Sequence, residues 1–169
     1  MSVMKSLRIP GKRTVCYFLV NKIFVGTRFF SIKRSLLRSA GVAVGIGTKI
    51  VGPIVNTGEL QIGDNCWIGK NLFVNGNGQV TIGNNCDVAP EVTFQTGGHL
   101  IGDANRRAGK GQIFCQSVGD GVWIGGRSTV LNNTHIGDGC VVAGCACVIK
   151  DVPANSLVGG VPAKVIRGL

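Results

Sequence analysis

The 169-residue sequence predicts an all-β chain wound as a parallel β-helix, and three observations carry that expectation. Windows of six read from Val44 begin with an aliphatic residue thirteen times in fifteen, with Asn56 and Phe94 as the two breaks. The second position is Gly or Ala in nine of the fifteen windows, among them Gly45, Gly63, Gly137 and Ala143. Glycine is abundant, at 27 residues, and aromatics are few, which suits tight corners around an aliphatic interior.

A period of six fits neither an amphipathic helix nor a simple alternating strand. One aliphatic side chain per six points inward, and a residue with little bulk sits beside it where the chain turns sharply. Three windows make a coil with three flat faces, and five coils are expected at 44–61, 62–81, 82–99, 118–135 and 136–153. At ~4.8 Å per stacked strand this gives a prism ~24 Å tall. Coils bury their apolar edges only against one another, so both ends need covers. The division expected is therefore a basic segment at 1–40, a β-helix at 41–153 and a C-terminal cap at 154–169. Cys66, Cys86 and Cys140 fall at the small fifth position and read as core residues. The glycines lack a strict third-residue period, which excludes collagen, and the aliphatic content excludes a disordered chain.

Residues 1–40 hold nine basic side chains and no acidic ones, whereas 41–169 hold nine basic and eight acidic. Such an arm either meets an anionic lipid or saccharide, or is a helical cap with solvated charges. No nucleic-acid partner is expected. The apolar stretch Val15 to Val25 is interrupted by Asn21 and Lys22, is followed by no cleavage site, and is too short for a span. Phe18, Phe24, Phe29 and Phe30 among lysines and arginines suit a segment lying in a membrane interface. Seven cysteines in no disulfide-like spacing point to a reduced cytoplasmic setting, peripheral to the inner face of the membrane if the arm binds lipid.

The chain has two histidines. His99 ends "TGGH", directly before residues 100–117 interrupt the coils. Insertions in a solenoid protrude on one face, often the binding face. This one carries Arg106, Arg107 and Lys110 among glycines and reads as a mobile flap over an anionic ligand or a neighbouring cleft. A base working near neutral pH suits histidine, whose reference pKa is ~6.5. The group that would orient the ring is open, with Glu91 as one candidate. His135, closing "VLNNTH", reads as a surface residue. Cys145 and Cys147 have C-x-C spacing without a second pair, so no metal site is expected.

The segment "VGDGVWIGGRSTVLNNTHIGDGCVVAGCACVIKDVPANSLVGGVPAKVIRGL", Val118 to Leu169, closely resembles the C-terminal half of the hexapeptide-repeat acyltransferases. With "VAPEVTFQTGGH", Val88 to His99, it resembles their maltose/galactoside and exopolysaccharide O-acetyltransferase branch over about residues 41–169. The resemblance implies a left-handed coil, a homotrimer with active sites between subunits, and acetyl-CoA as acyl donor. It also implies transfer to a carbohydrate hydroxyl, as in exopolysaccharide, capsule or lipid-linked sugar.

The resemblance further implies roles for single residues. His99 matches the catalytic histidine. Gly126 in "WIGGR" matches the backbone N–H donor to the thioester oxyanion. Asn75 in "FVNGNG" matches an acceptor contact, an amide able both to donate to and accept from a sugar hydroxyl; the alternative is a turn residue. Trp123 is grouped with Asn75 at the acceptor, lining the acyl or pantetheine channel; the alternative is a surface-packing aromatic. Gly144 matches a position approached by the pantetheine arm, and Lys150, Lys164 and Arg167 match positions facing the coenzyme A phosphates. Lys164 stands where arginine is common, so a bidentate phosphate contact is not expected there.

The sequence also admits other readings. An antibiotic O-acetyltransferase shares the features above. A serine acetyltransferase resembles this chain in its repeats but carries a large helical N-terminal domain. A non-catalytic β-helix scaffold needs neither a histidine beside an insertion nor cations on the C-terminal coils. A zinc hydratase on this fold would use three histidines.

Overall fold

The computed structural model describes residues 11–169, so Lys5 and Arg8 of the basic segment lie outside the described residues. The chain winds as a left-handed parallel β-helix whose three faces are parallel sheets. The first face stacks Ala43–Val44, Glu59–Ile62, Gln79–Ile82, Cys115–Val118 and His135–Ile136. The second stacks Lys49–Ile50, Trp67–Ile68, Asp87–Val88, Trp123–Ile124, Val141–Val142 and Ser156–Gly160. The third stacks Ile54–Asn56, Leu72–Asn75, Thr93–Gln95, Thr129–Val130 and Cys147–Val148. Five coils are complete. After Val152 bridges Ile136, residues 154–169 add the strand Ser156–Gly160 to the second face, and Ala163–Gly168 folds back antiparallel upon it.

The inward aliphatics form one core running from Val44 to Val158, with Phe94 and Ile124 fully buried. Cys66, Cys86 and Cys140 are buried in it; the first two thiols donate to the carbonyls of Gly83 and Gly119 in the next coil, and the third to that of Pro153 at the end of its own.

The corner glycines work differently from the sharp turn expected of them. At Gly125 a Cβ would lie 2.5 Å from the Gly144 nitrogen, and at Gly63 one would lie 2.6 Å from the Gly83 oxygen. The next coil's backbone passes too close for a side chain. The left-handed conformation falls two residues later, at Gly47, Asn65, Asn85, Gly121 and Gly139. Between these sites runs a polar ladder. The side-chain oxygens of Asp64, Asn84, Asp120 and Asp138 accept from the N–H of Ile46, Asp64, Asn84 and Asp120, at 2.6–2.8 Å.

The basic segment covers the open first coil. Helix α1, Lys12–Phe18, runs into a π-helical turn, Leu19–Ile23, and helix α2, Phe30–Ser39, follows. Val20 and Leu37 enter the core. The first coil has polar backbone groups with no coil before it to bond them. The cap supplies the partners. Arg13 donates to the Asn56 carbonyl, Lys33 to Val51, Arg34 to Thr48 and Arg38 to Val44. The Asn21 amide stands in for a missing strand, donating to the Ile54 carbonyl at 2.7 Å and accepting its N–H at 2.9 Å. These four cations are therefore engaged with backbone carbonyls.

Residues 97–113 leave the prism as a β-hairpin of Gly97–Ile101 and Ala108–Ile113, paired antiparallel. The projection expected at 100–117 thus spans 97–113, and its two strands are hydrogen-bonded to each other. His99 stands on its outgoing strand. The chain rejoins the first face at Cys115, which pairs with Gln79.

Candidate active site

His99 is exposed and pairs across the hairpin with Gly111. Its Nδ1 lies 2.9 Å from the Gly109 carbonyl oxygen. A carbonyl only accepts, so Nδ1 carries the hydrogen and the neutral ring presents Nε2 as its basic atom. The ring is therefore oriented by backbone of the hairpin and not by Glu91. That carboxylate is committed elsewhere, with Glu91 Oε2 at 2.8 Å from Arg127 Nε.

Asn75 ends a strand of the third face, half-buried and in register with Gln95. Its carbonyl accepts from the Thr96 N–H at 2.7 Å. A Cβ on neighbouring Gly76 would sit 2.5 Å from the Gly97 nitrogen, so Asn75 stands at the root of the hairpin that carries His99. The turn conformation at this point belongs to Gly76, whose φ is 108°, and not to Asn75.

Gly126 and Gly144 stack at the corner between the second and third faces. The Cys145 N–H donates to the Gly126 carbonyl at 2.9 Å. Among the described residues the Gly126 N–H has no acceptor. Trp123, 56% exposed, stands on the second face three residues before Gly126. The outward column Trp123, Val141, Leu157, Arg167 continues along the same face in register. Arg167 is thus three strand spacings, ~14 Å, from Trp123. Lys164 is on the same final strand, opposite Gly159, and Lys150 follows the last strand of the third face; all three cations are exposed. An exposed crest at Gly144 with nearby cations suits an extended arm ending in phosphates.

Within one chain the two groups remain apart. His99 and Asn75 follow strands of the third face, whereas Gly126 precedes one, Thr129–Val130, and that strand is in register with Thr93–Gln95. They flank opposite edges of the same face. His135 is exposed on the first face, its Nδ1 at 2.8 Å from Ser117 Oγ.

A family model for the bacterial transferase hexapeptide (six repeats) matches residues 117–150. The galactoside O-acetyltransferase of Escherichia coli (strain K12) is 33% identical over 141 residues, 80% of this chain and 68% of that protein. A solved galactoside acetyltransferase in complex with coenzyme A superposes with a TM-score of 0.81 at 26% identity, over 98% of this chain and 84% of the other. A hexapeptide-repeat-containing acetyltransferase from Vibrio cholerae, complexed with acetyl coenzyme A, gives a TM-score of 0.75 at 25% identity, over 94% of this chain and 85% of the other. Of another curated relative, from Saccharomyces cerevisiae, the chain spans 56% of the length. Identity of this extent with the galactoside enzyme, together with the shared coil and the repeat match, makes the chain a member of the hexapeptide-repeat acetyltransferase superfamily.

Proposed function

We propose that the protein transfers an acetyl group from acetyl-CoA to a hydroxyl of a carbohydrate, with His99 as general base. The observation that carries this reading is the 2.9 Å contact of His99 Nδ1 with the Gly109 carbonyl, which leaves Nε2 basic and open to solvent. The acceptor oxygen gives its proton to Nε2 as it attacks the thioester carbonyl carbon. The Gly126 N–H holds the oxyanion that forms. The carbon–sulfur bond then breaks, and the imidazolium returns the proton to the leaving thiolate, giving coenzyme A and an acetyl ester.

Asn75 positions the acceptor, Trp123 flanks the reacting end, Gly144 admits the pantetheine arm, and Lys150, Lys164 and Arg167 meet the phosphates. Because His99 and Gly126 flank opposite edges of one face, the reaction joins the hairpin edge of one chain to the corner of another. That requirement supports a homotrimer with shared sites. The reading extends to a cytoplasmic setting and a peripheral contact of the cap with anionic lipid. Exposed Phe18, Ile23 and Phe29 beside Lys22 and Arg28 support the lipid contact. No helix among the described residues is long and apolar enough to cross a membrane.

The test is thiol release from acetyl-CoA across galactosides, glucosides, oligosaccharides, serine and aminoglycosides. Turnover with a sugar and none with the others is expected. Turnover with serine alone, or with no acceptor, refutes the reading.

A further inference from the structure

We propose that Trp67, Asp87 and Trp123 form a pyranose-binding subsite on the second face that accepts neutral and amino sugars and disfavours acidic ones. This rests on the carbohydrate acetyltransferase reading above and names the acceptor class of that site.

The three residues project from consecutive strands in register, Trp67 opposite Asp87 and Asp87 opposite Trp123. The two indoles therefore stand two strand spacings apart, ~10 Å, with a carboxylate between them. Together with Val88, Ala89 and Pro90 they line a groove of about 400 Å³. That is within the range of small-ligand sites and ample for one sugar ring. Trp67 is 37% exposed and Trp123 56%, so each offers an indole surface to the groove. Among the described residues the Asp87 carboxylate has no hydrogen-bond or ion-pair partner.

A pyranose has an apolar C–H face and a rim of hydroxyl donors. The indoles suit the face, and an ionised carboxylate, which only accepts, suits the rim. The negative faces of the indoles and the carboxylate share one sign, so a ring bearing an ammonium is favoured and one bearing a carboxylate is repelled. The site is also held in place from outside. The Phe30 ring meets Trp67 edge-on at 6.0 Å and 63°, and Lys33 Nζ lies 4.8 Å from the Phe30 centroid, so the N-terminal cap buttresses one wall.

The groove opens onto the reacting corner. The carbonyl of Pro90, in its lining, is 3.2 Å from where a Cβ on Gly126 would stand. Pro90, at one end of the lining, thus touches the corner that carries Gly126, whose N–H is assigned to the oxyanion. The same outward column ends at Arg167, toward the phosphate-binding cations. No feature of the hexapeptide period marks Asp87, since its position only has to point outward.

The experiment is a tryptophan-fluorescence titration of the full chain with methyl galactoside, glucosamine and galacturonate. Wild type, Asp87→Asn and Trp67→Ala are compared, with the acetyl-CoA-induced rise in melting temperature as a check that each variant is folded. The neutral and amino sugars should bind, with galacturonate about tenfold weaker or more, and Asp87→Asn should weaken the first two by about tenfold while narrowing the gap to the third. Trp67→Ala should weaken all three. Affinities within about twofold of wild type in Asp87→Asn, equal binding of galacturonate, or no saturable binding of any of the sugars overturns the proposal. The two readings fail separately. Sugar binding that depends on Asp87 without thiol release from acetyl-CoA leaves the subsite and removes the transferase. Thiol release whose sugar KM is unmoved by Asp87→Asn and Trp67→Ala does the reverse.

Discussion

His99 Nδ1 and the Gly109 carbonyl oxygen, 2.9 Å apart, face each other across a hairpin that projects from the prism. The bond joins the two strands of the hairpin, so the ring direction is set by the same pairing that builds the projection. His99→Ala should therefore lower kcat/KM by ~10²–10⁴-fold with a good sugar acceptor. The side chain is exposed and outside the core, so the melting temperature should stay within experimental scatter. Thiol release measured alongside a thermal scan checks both parts. A variant that keeps most of its turnover removes His99 from the mechanism.

The ladder of acidic and amide side chains should be cooperative in one direction. Asp120 accepts the Asn84 N–H at 2.7 Å while its own N–H donates to Asp138. Asp120→Ala should cost about 1 kcal/mol, because one rung is lost at a solvated corner, and Asp120→Asn should recover most of it by keeping the acceptor. Chemical denaturation of both variants measures the difference.

Gly125→Ala is expected to be worse, although it adds only one methyl. Its Cβ would stand 2.5 Å from the Gly144 nitrogen and 2.8 Å from the Val142 oxygen, both backbone atoms of the next coil. A shift of that coil should cost about 1–3 kcal/mol and also disturb the Gly126 and Gly144 crest. Loss of stability together with a raised KM for acetyl-CoA would be the signature.

Lys33 is fully buried in the cap, and loss of hydration there lowers its pKa from the usual 10.5. Between the lowered value and 10.5 the unfolded chain holds more protons than the folded one, so the Lys33 contribution to stability rises with pH across that window. The melting temperature of wild type relative to Lys33→Met should accordingly climb as the pH is raised toward 10.5. A difference that is flat or falling would show that the ammonium is better solvated by the carbonyls of Gly26 and Val51 than burial suggests.

Much of the architecture was legible because one inward aliphatic per six is a local signal, repeated where each coil needs it. Val44 through Val148 all point inward as their spacing requires, apart from half-buried Asn56, whose amide donates to the Tyr17 hydroxyl. The rungs at Asp64, Asn84, Asp120 and Asp138 were equally visible, each directly after a corner glycine, yet a count of apolar positions passes over them. The hairpin was not legible. Residues 97–113 have nothing to bury against the prism, so their alternation has no apolar side, and the glycines there resemble a loop. What the basic segment bonds to was hidden for a similar reason. Its partners are backbone carbonyls of the first coil, which no side-chain pattern reveals. Asp87 escaped notice because it meets Trp67 and Trp123 only through register across three coils, one of them lengthened by a two-residue slip.

Below the hairpin the prism closes as if nothing had been inserted: Cys115–Val118 resumes pairing with Gln79–Ile82 without a skipped rung. On the proposed mechanism the base stands on an appendage, whereas the proposed sugar wall belongs to the shaft. Lengthening, trimming or grafting the appendage should leave the shaft's winding intact. On that reading chemistry and taste are carried by separate parts of the fold.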